Sequence, residues 1–222
     1  NAFRFYVDRH VTVLNTPDVI GVEEMENLAT LQALADKVNA DAVAAGQPSP
    51  NYQAFLVEGN DVGGIDVDLL VKGAINVVSV QQVGKDTTFL QPDGTTALLN
   101  DRPPLVLMAT ASQPNSDTSL PFTMVVNHLR SLLSIDDPVD GPRVRAKRAA
   151  QAEFLANLLQ AHQAAGENVI SVCDCNAFEF SDGYVDVIGT ILGRPAPVDQ
   201  VVTASPDLVD PDFTDLVSTL PH

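Results

Sequence analysis

Short apolar runs that end in a polar residue recur along this chain, each followed by a turn or a helical stretch. That is the pattern of a layered α/β protein whose strand ends face a site. Residues 18–22 (Asp-Val-Ile-Gly-Val) read as a buried strand after Pro17, delivering Glu23 and Glu24 at its exit. The spacing then predicts a helix over about 27–45, with Leu28, Leu31, Leu34, Ala35, Val38 and Ala42 on one face and Gly46 as its stop. Residues 60–64 (Asn-Asp-Val-Gly-Gly) signal a turn. Beyond it Ile65, Val67, Leu69 and Val71 alternate with Asp66, Asp68 and Leu70, as in a strand with one core face. Residues 74–80 are expected as its hairpin neighbour.

Asp93-Gly94 forms another tight turn, and Arg102-Pro103-Pro104 closes a connection before a buried strand over 105–109. A further strand is expected over 122–127. Residues 142–165 have Pro at the start, apolar Val144, Phe154, Leu155, Leu158 and Leu159, and Gly166 at the end, which predicts a long helix. Residues 169–172 return to the sheet. After Asn176 the chain is rich in Gly, Pro and Asp, with short apolar islands at 185–188 and 215–217. No internal repeat or low-complexity segment is present.

Composition narrows the class. With 222 residues and 45% hydrophobic content the chain can bury one sizeable core, and a single domain over 1–222 is expected. Its apolar runs are strand-sized, well short of the roughly 20 residues that span a bilayer. Residues 1–10 mix Arg4, Asp8 and Arg9 with aromatics, and so do not form a secretory signal core. The 29 acidic and 12 basic residues give a net charge of -17, which opposes non-specific attraction to a polyanion. A bound divalent cation inverts the local field, so the charge does not exclude a nucleic-acid substrate. Cys173 and Cys175 stand one residue apart, a spacing expected to be too strained for an easy disulfide and too sparse for a structural zinc site.

The chemistry gathers at three strand ends, which supply Glu24, His128 and the pair Asp174 and Asn176. Carboxylates are hard oxygen ligands for magnesium, and imidazole can move a proton near neutral pH. Phosphoryl transfer needs a cation for the non-bridging oxygens, a positioned water and help for the leaving oxygen.

These segments resemble, in order, the endonuclease/exonuclease/phosphatase superfamily, and bacterial extracellular nucleases in particular. Residues 18–27 (Asp-Val-Ile-Gly-Val-Glu-Glu-Met-Glu-Asn) are similar to the strand ending in Gln-Glu, with Glu24 at the metal-binding glutamate and Glu23 in place of Gln. Residues 63–72 (Gly-Gly-Ile-Asp-Val-Asp-Leu-Leu-Val-Lys) resemble the strand after the family's glycine-rich turn. Arg102 matches an arginine that works near the scissile phosphate. Residues 127–131 (Asn-His-Leu-Arg-Ser) resemble Asn-His-Leu-Lys-Ser, whose histidine is an acid or base. Residues 169–186 resemble the Gly-Asp-Phe-Asn-Ala block with the extension Phe-Glu-Phe-Ser-Asp-Gly-Tyr, although Cys173 and Cys175 replace the glycine and the aromatic.

The resemblance implies a four-layer α/β/β/α sandwich with two mixed sheets. It also implies that the chain lacks the family's first strand and its C-terminal Asp-His strand. The implied activity is divalent-metal-dependent phosphodiester hydrolysis, most specifically by an extracellular endonuclease on DNA or RNA, with a fragment of this extent losing activity. His128, Asp174, Asn176 and Arg102 would be catalytic, and Glu24 and Asp174 metal ligands. Arg102, Asn127, Asn176 and Asp66 would bind substrate. The implied cofactor is Mg2+ or Mn2+, with Ca2+ as an alternative, and the partner is nucleic acid as substrate, with no obligate protein partner. A phosphatase or a sphingomyelinase-like phosphodiesterase on the same scaffold, or a non-catalytic remnant, are the competing readings. Plainer roles stand beside these. Arg102 could pair with Asp101 or another carboxylate, Asp66 and Asp182 could be solvent-facing acids, and Arg143, Arg145, Lys147 and Arg148 could form a solvated helix start. His10, His162 and His222 read as structural.

Overall fold

The computed structural model describes residues 16–112 and 118–219, so His10 and His222 lie outside the described residues. Those residues gather into two compact units that interleave along the chain. The first runs to Val83 and adds Arg102–Asn127 and Ile170–Val172; the second holds Gly84–Asp101, His128–Val169 and the residues from Cys173 onward.

The first unit is built on two sheets. One has the order β1-β3-β2, from β1 (Val19–Met25), β2 (Gln53–Leu56) and β3 (Asp66–Val71), paired antiparallel so that Leu69 stands opposite both Gly21 and Phe55. The other has the order β4-β7-β8-β9, from β4 (Asn76–Gln82), β7 (Leu105–Ser112), β8 (Ser119–His128) and β9 (Val169–Asp174). Val67, Leu69 and Val71 of β3 pack against Leu105, Leu107 and Ala109 of β7 and Phe122, Met124 and Val126 of β8 to form the core between the sheets. Each Val, Leu, Phe or Met side chain, where fully buried, contributes about 1.5–3 kcal/mol. The sheets approach closely at Gly21, where a Cβ would lie 2.8 Å from Val172 Cγ2.

The helix α1 (Leu28–Ala44) covers the other face of the three-stranded sheet. Its N-cap is Asn27, whose side-chain oxygen accepts from the Thr30 N–H at 2.9 Å. Leu31, Leu34, Ala35, Val38 and Ala42 are buried as expected and pack with Tyr52 and Leu70, whereas Leu28 at the first turn is exposed.

Two expectations for 65–80 are corrected. β3 has no solvent face: all six residues are buried, because Asp66 and Asp68 share the side that carries Leu70, which α1 covers. Residues 74–80 are not its hairpin neighbour either, since β4 belongs to the other sheet and pairs with β7. The crossing is made by hydrogen bonds from Lys72 N to Asp18 O, Gly73 N to Pro50 O and Ile75 N to Lys72 O, which turn the chain out of the first sheet.

The second unit contains the hairpin of β5 (Thr88–Leu90) and β6 (Thr96–Leu98), the long helix α2 (Gly141–Ala164), the short helix α3 (Val187–Leu192) packed on α2, and a 3-10 turn at Val217–Thr219. The Asp93-Gly94 turn joins the hairpin: Asp93 Oδ1 accepts from Thr95 N at 2.9 Å and from Thr95 Oγ1 at 2.7 Å. Among the described residues, no helix is long and apolar enough to cross a membrane.

Candidate active site

Within the first unit, Glu24 is exposed at the end of β1 with φ 61, at the register shift between Glu23 and Met25. A bulge with a non-glycine residue in the left-handed region is a costly conformation, and such positions concentrate at functional sites. Arg102 Nη1 donates to Asp61 Oδ2 at 2.9 Å, with 10% and 17% of the two side chains exposed. Asp61 is thus a carboxylate partner of Arg102, while Asp101 accepts from Lys147. Asp61 Oδ1 also accepts from Gly63 N at 2.7 Å, so the turn over 60–64 presents the acid that holds the arginine.

Asp66 is buried and accepts from Gly59 N at 2.7 Å. Burial, opposed by that bond, raises its carboxyl above the ordinary range. Asp68, fully buried and with no hydrogen-bond partner on either oxygen, is pushed up to about 8 by burial first and then by Asp66 and Glu58. Asn127 is completely buried; its amide donates to Val125 O at 3.2 Å and to Ser171 Oγ at 3.0 Å. That side chain bridges β8 and β9 and is closed to a ligand from solvent.

Within the second unit, the ends of β8 and β9 supply His128 and Asp174. His128 is 4% exposed and its Nε2 lies 3.8 Å from Asp174 Oδ2, on a carboxylate that is 48% exposed. Asp174 Oδ1 accepts from Asn176 N at 2.9 Å. The strand ends are sewn by Leu129 N to Asp174 O at 3.1 Å and by Asn176 Nδ2 to Leu129 O at 3.0 Å. Asn176 has φ 48, a conformation that Asn tolerates better than most residues. The structure therefore brings His128, Asp174 and Asn176 together at adjacent backbone positions.

The expectation about the cysteines is overturned: Cys173 and Cys175 are joined in a disulfide that brackets Asp174. The chain leaves the strand at Asp174, which shortens their Cα separation to 5.1 Å, inside the ordinary disulfide range.

The basic cluster is also corrected. Lys147 and Arg148 are buried rather than solvated. Lys147 Nζ donates to both Asp101 oxygens at 2.8 Å, and Arg148 Nη2 lies 3.4 Å from Asp182 Oδ2. Burial lowers the Arg148 pKa, and Asp182 opposes that shift. Arg148 also donates to Arg130 O. Gln151, which sequence reading passes over, accepts from Arg130 N at 2.8 Å and donates to Leu99 O at 2.9 Å. These side chains of α2 fix the loop that follows His128. A polar residue at a buried helical position, one turn from two cations, was the available signal. His162 pairs with Glu167 Oε2 at 2.8 Å, the structural role expected of it.

No family model and no curated protein matches the sequence. Solved structures do match, and they show the fold: the chain has the deoxyribonuclease I-like fold seen in endonuclease/exonuclease/phosphatase proteins. The human Nocturnin catalytic domain with bound sulfate superposes at a TM-score of 0.52 with 14% identity, over 80% of this chain and 57% of that one. ANGEL2, a 2',3'-cyclic phosphatase in complex with adenosine-2',3'-vanadate, gives 0.53 with 17% identity over 86% and 48%. An endonuclease/exonuclease/phosphatase family protein from Bacteroides thetaiotaomicron gives 0.51 with 16% identity over 86% and 57%. The chain thus spans about half the length of the structures it matches.

Proposed function

We propose that this chain carries the catalytic residues of a divalent-metal-dependent phosphodiester hydrolase, and more specifically of an extracellular endonuclease acting on DNA or RNA. The observation that supports this most is the grouping of His128, Asp174 and Asn176 at two strand ends, in a fold shared with phosphate-processing enzymes. The cysteine pair, oxidised, suits an extracellular compartment.

Among the described residues no three His, Cys, Asp or Glu side chains converge as a cage for a metal. The half-exposed Asp174 carboxylate is the kind of donor that suits Mg2+ or Mn2+, which take one or two carboxylates and complete their shells with water and substrate oxygens. Asp174 would be a ligand on the second unit, and Glu24 is assigned to metal by its motif. A bound cation would neutralise charge on the non-bridging phosphate oxygens.

The chain's own groups do the rest. Asp174, fixed through Oδ1 by the Asn176 N–H, sets its other oxygen beside the His128 ring. His128 Nε2 is then placed to hold or release a proton to a phosphate oxygen. The Asn176 amide, close to Asp174, can orient water or phosphate without adding charge. Arg102, held by Asp61, is the cation its motif assigns to a phosphate oxygen. Asp66 and Asn127 act through the backbone they support.

Nicking of supercoiled plasmid in Mg2+, compared with EDTA and with Asp174→Ala, tests the reading. Metal-dependent nicking lost in the variant is the expected result; equal nicking by both proteins overturns it. The phosphatase reading is favoured by the 2',3'-cyclic phosphatase among the matching structures and by the -17 net charge. Turnover of small phosphoesters with no cleavage of plasmid would put it first.

A further inference from the structure

Two residues past Asn176 the chain displays an aromatic pair that the chemistry above does not use. The rings of Phe178 and Phe180 stack with centroids 5.3 Å apart and planes 7° from parallel, yet they are 50% and 70% exposed. Their exposure is not the fraying of a loose loop, because the segment is pinned at both ends. At one end Asn176 is bonded to Asp174 and to Leu129 O. At the other, Asp182 Oδ1 accepts from Tyr184 N at 2.8 Å and Val185 N at 2.7 Å, while its Oδ2 faces the buried Arg148. Two exposed flat apolar faces are thus held in a fixed arrangement before anything binds, which lowers the ordering cost of binding.

The setting says what covers them. Phe178 is at most about 7 Å of backbone from Asn176, so a group touching the rings can be joined to a phosphate at Asp174 and Asn176. A flat, apolar occupant tethered to a phosphate is a nucleobase.

We propose that Phe178 and Phe180 form a stacking platform for an unpaired nucleobase of the substrate, giving a preference for single-stranded nucleic acid. The proposal rests on the hydrolase reading for the phosphate end. Phenylalanine has no hydrogen-bonding group, so the platform tolerates any base, and a base paired inside a duplex has no free face to offer it.

The test is the affinity of the whole chain, in EDTA, for a fluorescent eight-nucleotide oligothymidylate against an abasic strand of equal length and charge. Wild type is expected to prefer the thymidylate by roughly 5- to 150-fold. Phe180→Ala and Phe178→Ala should each remove most of that preference and leave abasic binding unchanged, whereas Phe180→Trp should retain it. Phe180→Leu, which keeps apolar bulk, should also lose it. Equal affinity for the two strands, no binding of either, or a preference that survives both alanine substitutions overturns the platform. Mg2+-dependent hydrolysis by the same proteins separates the two ideas. Base-selective binding without hydrolysis removes the hydrolase reading and supports the platform; hydrolysis without base preference removes the platform alone.

Discussion

Nε2 of His128 stands 3.8 Å from Oδ2 of Asp174, while the other oxygen of that carboxylate is taken by the N–H of Asn176. The imidazole is almost wholly buried and the carboxylate is half exposed, so it is the aspartate that meets solvent. In the proposed reading the two groups act as a pair.

Removing either is expected to cost about 10²–10⁴-fold in kcat, the usual range for acid-base assistance. His128→Ala and Asp174→Asn should each show this on whichever phosphoester the protein cleaves, and the double variant should lose much less than the product of the two. Full additivity in a steady-state cycle would show that the pair does not act together.

Asp68 gives the fold a pH dependence of unusual sign. Its carboxyl is protonated in the folded state up to about pH 8, whereas in the unfolded chain it ionises in the ordinary carboxylate range. Between those limits the folded state binds the extra proton, so stability falls as pH rises, by about 1.4 kcal/mol per unit, and levels off above pH 8. Asp68→Asn removes this term. Denaturation midpoints at pH 5, 6.5 and 8 should show the variant gaining steadily on wild type; parallel profiles would refute the assignment.

Arg148 is buried and faces the partly buried Asp182, so taking away the guanidinium leaves that carboxylate without its cation and empties a buried site. Arg148→Met is expected to cost about 3–5 kcal/mol in urea denaturation. Arg148→Met combined with Asp182→Asn should recover part of the loss, and no recovery would mean that the damage comes from the lost bond to Arg130 O.

Alkylation counts the free thiols directly. The Cys173–Cys175 disulfide predicts no label before reduction and two after it. Thermal stability should change little on reduction, since closing so short a loop removes little freedom from the unfolded chain. Two labels without reductant would show that the link does not form in solution.

Much of this was legible in the sequence where the signal is local. The helical period of Leu31, Leu34, Ala35 and Val38 placed α1, and apolar runs ending in polar residues placed β1, β7, β8 and β9. Ordered motifs placed His128, Asp174 and Asn176 on strand ends. What escaped was set by distant parts of the chain. Whether β4 continues beside β3 or crosses to the other sheet depends on bonds to Asp18 and Pro50. Asp66 and Asp68 looked solvated because alternation marks two faces but does not say that a helix covers the second. Lys147 and Arg148 looked like surface charge because their partners, Asp101 and Asp182, lie more than thirty residues away. β5 and β6, each of three residues, are too short for a periodic signal, although their turn was visible.

One face of α2 carries Lys147, Arg148 and Gln151 in a single turn, and each is spent on a different stretch of chain: 101, 182 and 130. In a random-mutagenesis screen scored by activity in culture, these three codons should stand out as sharply as His128. The defect behind them would be one of yield: little folded protein recovered, with the molecules that survive turning over at the normal rate.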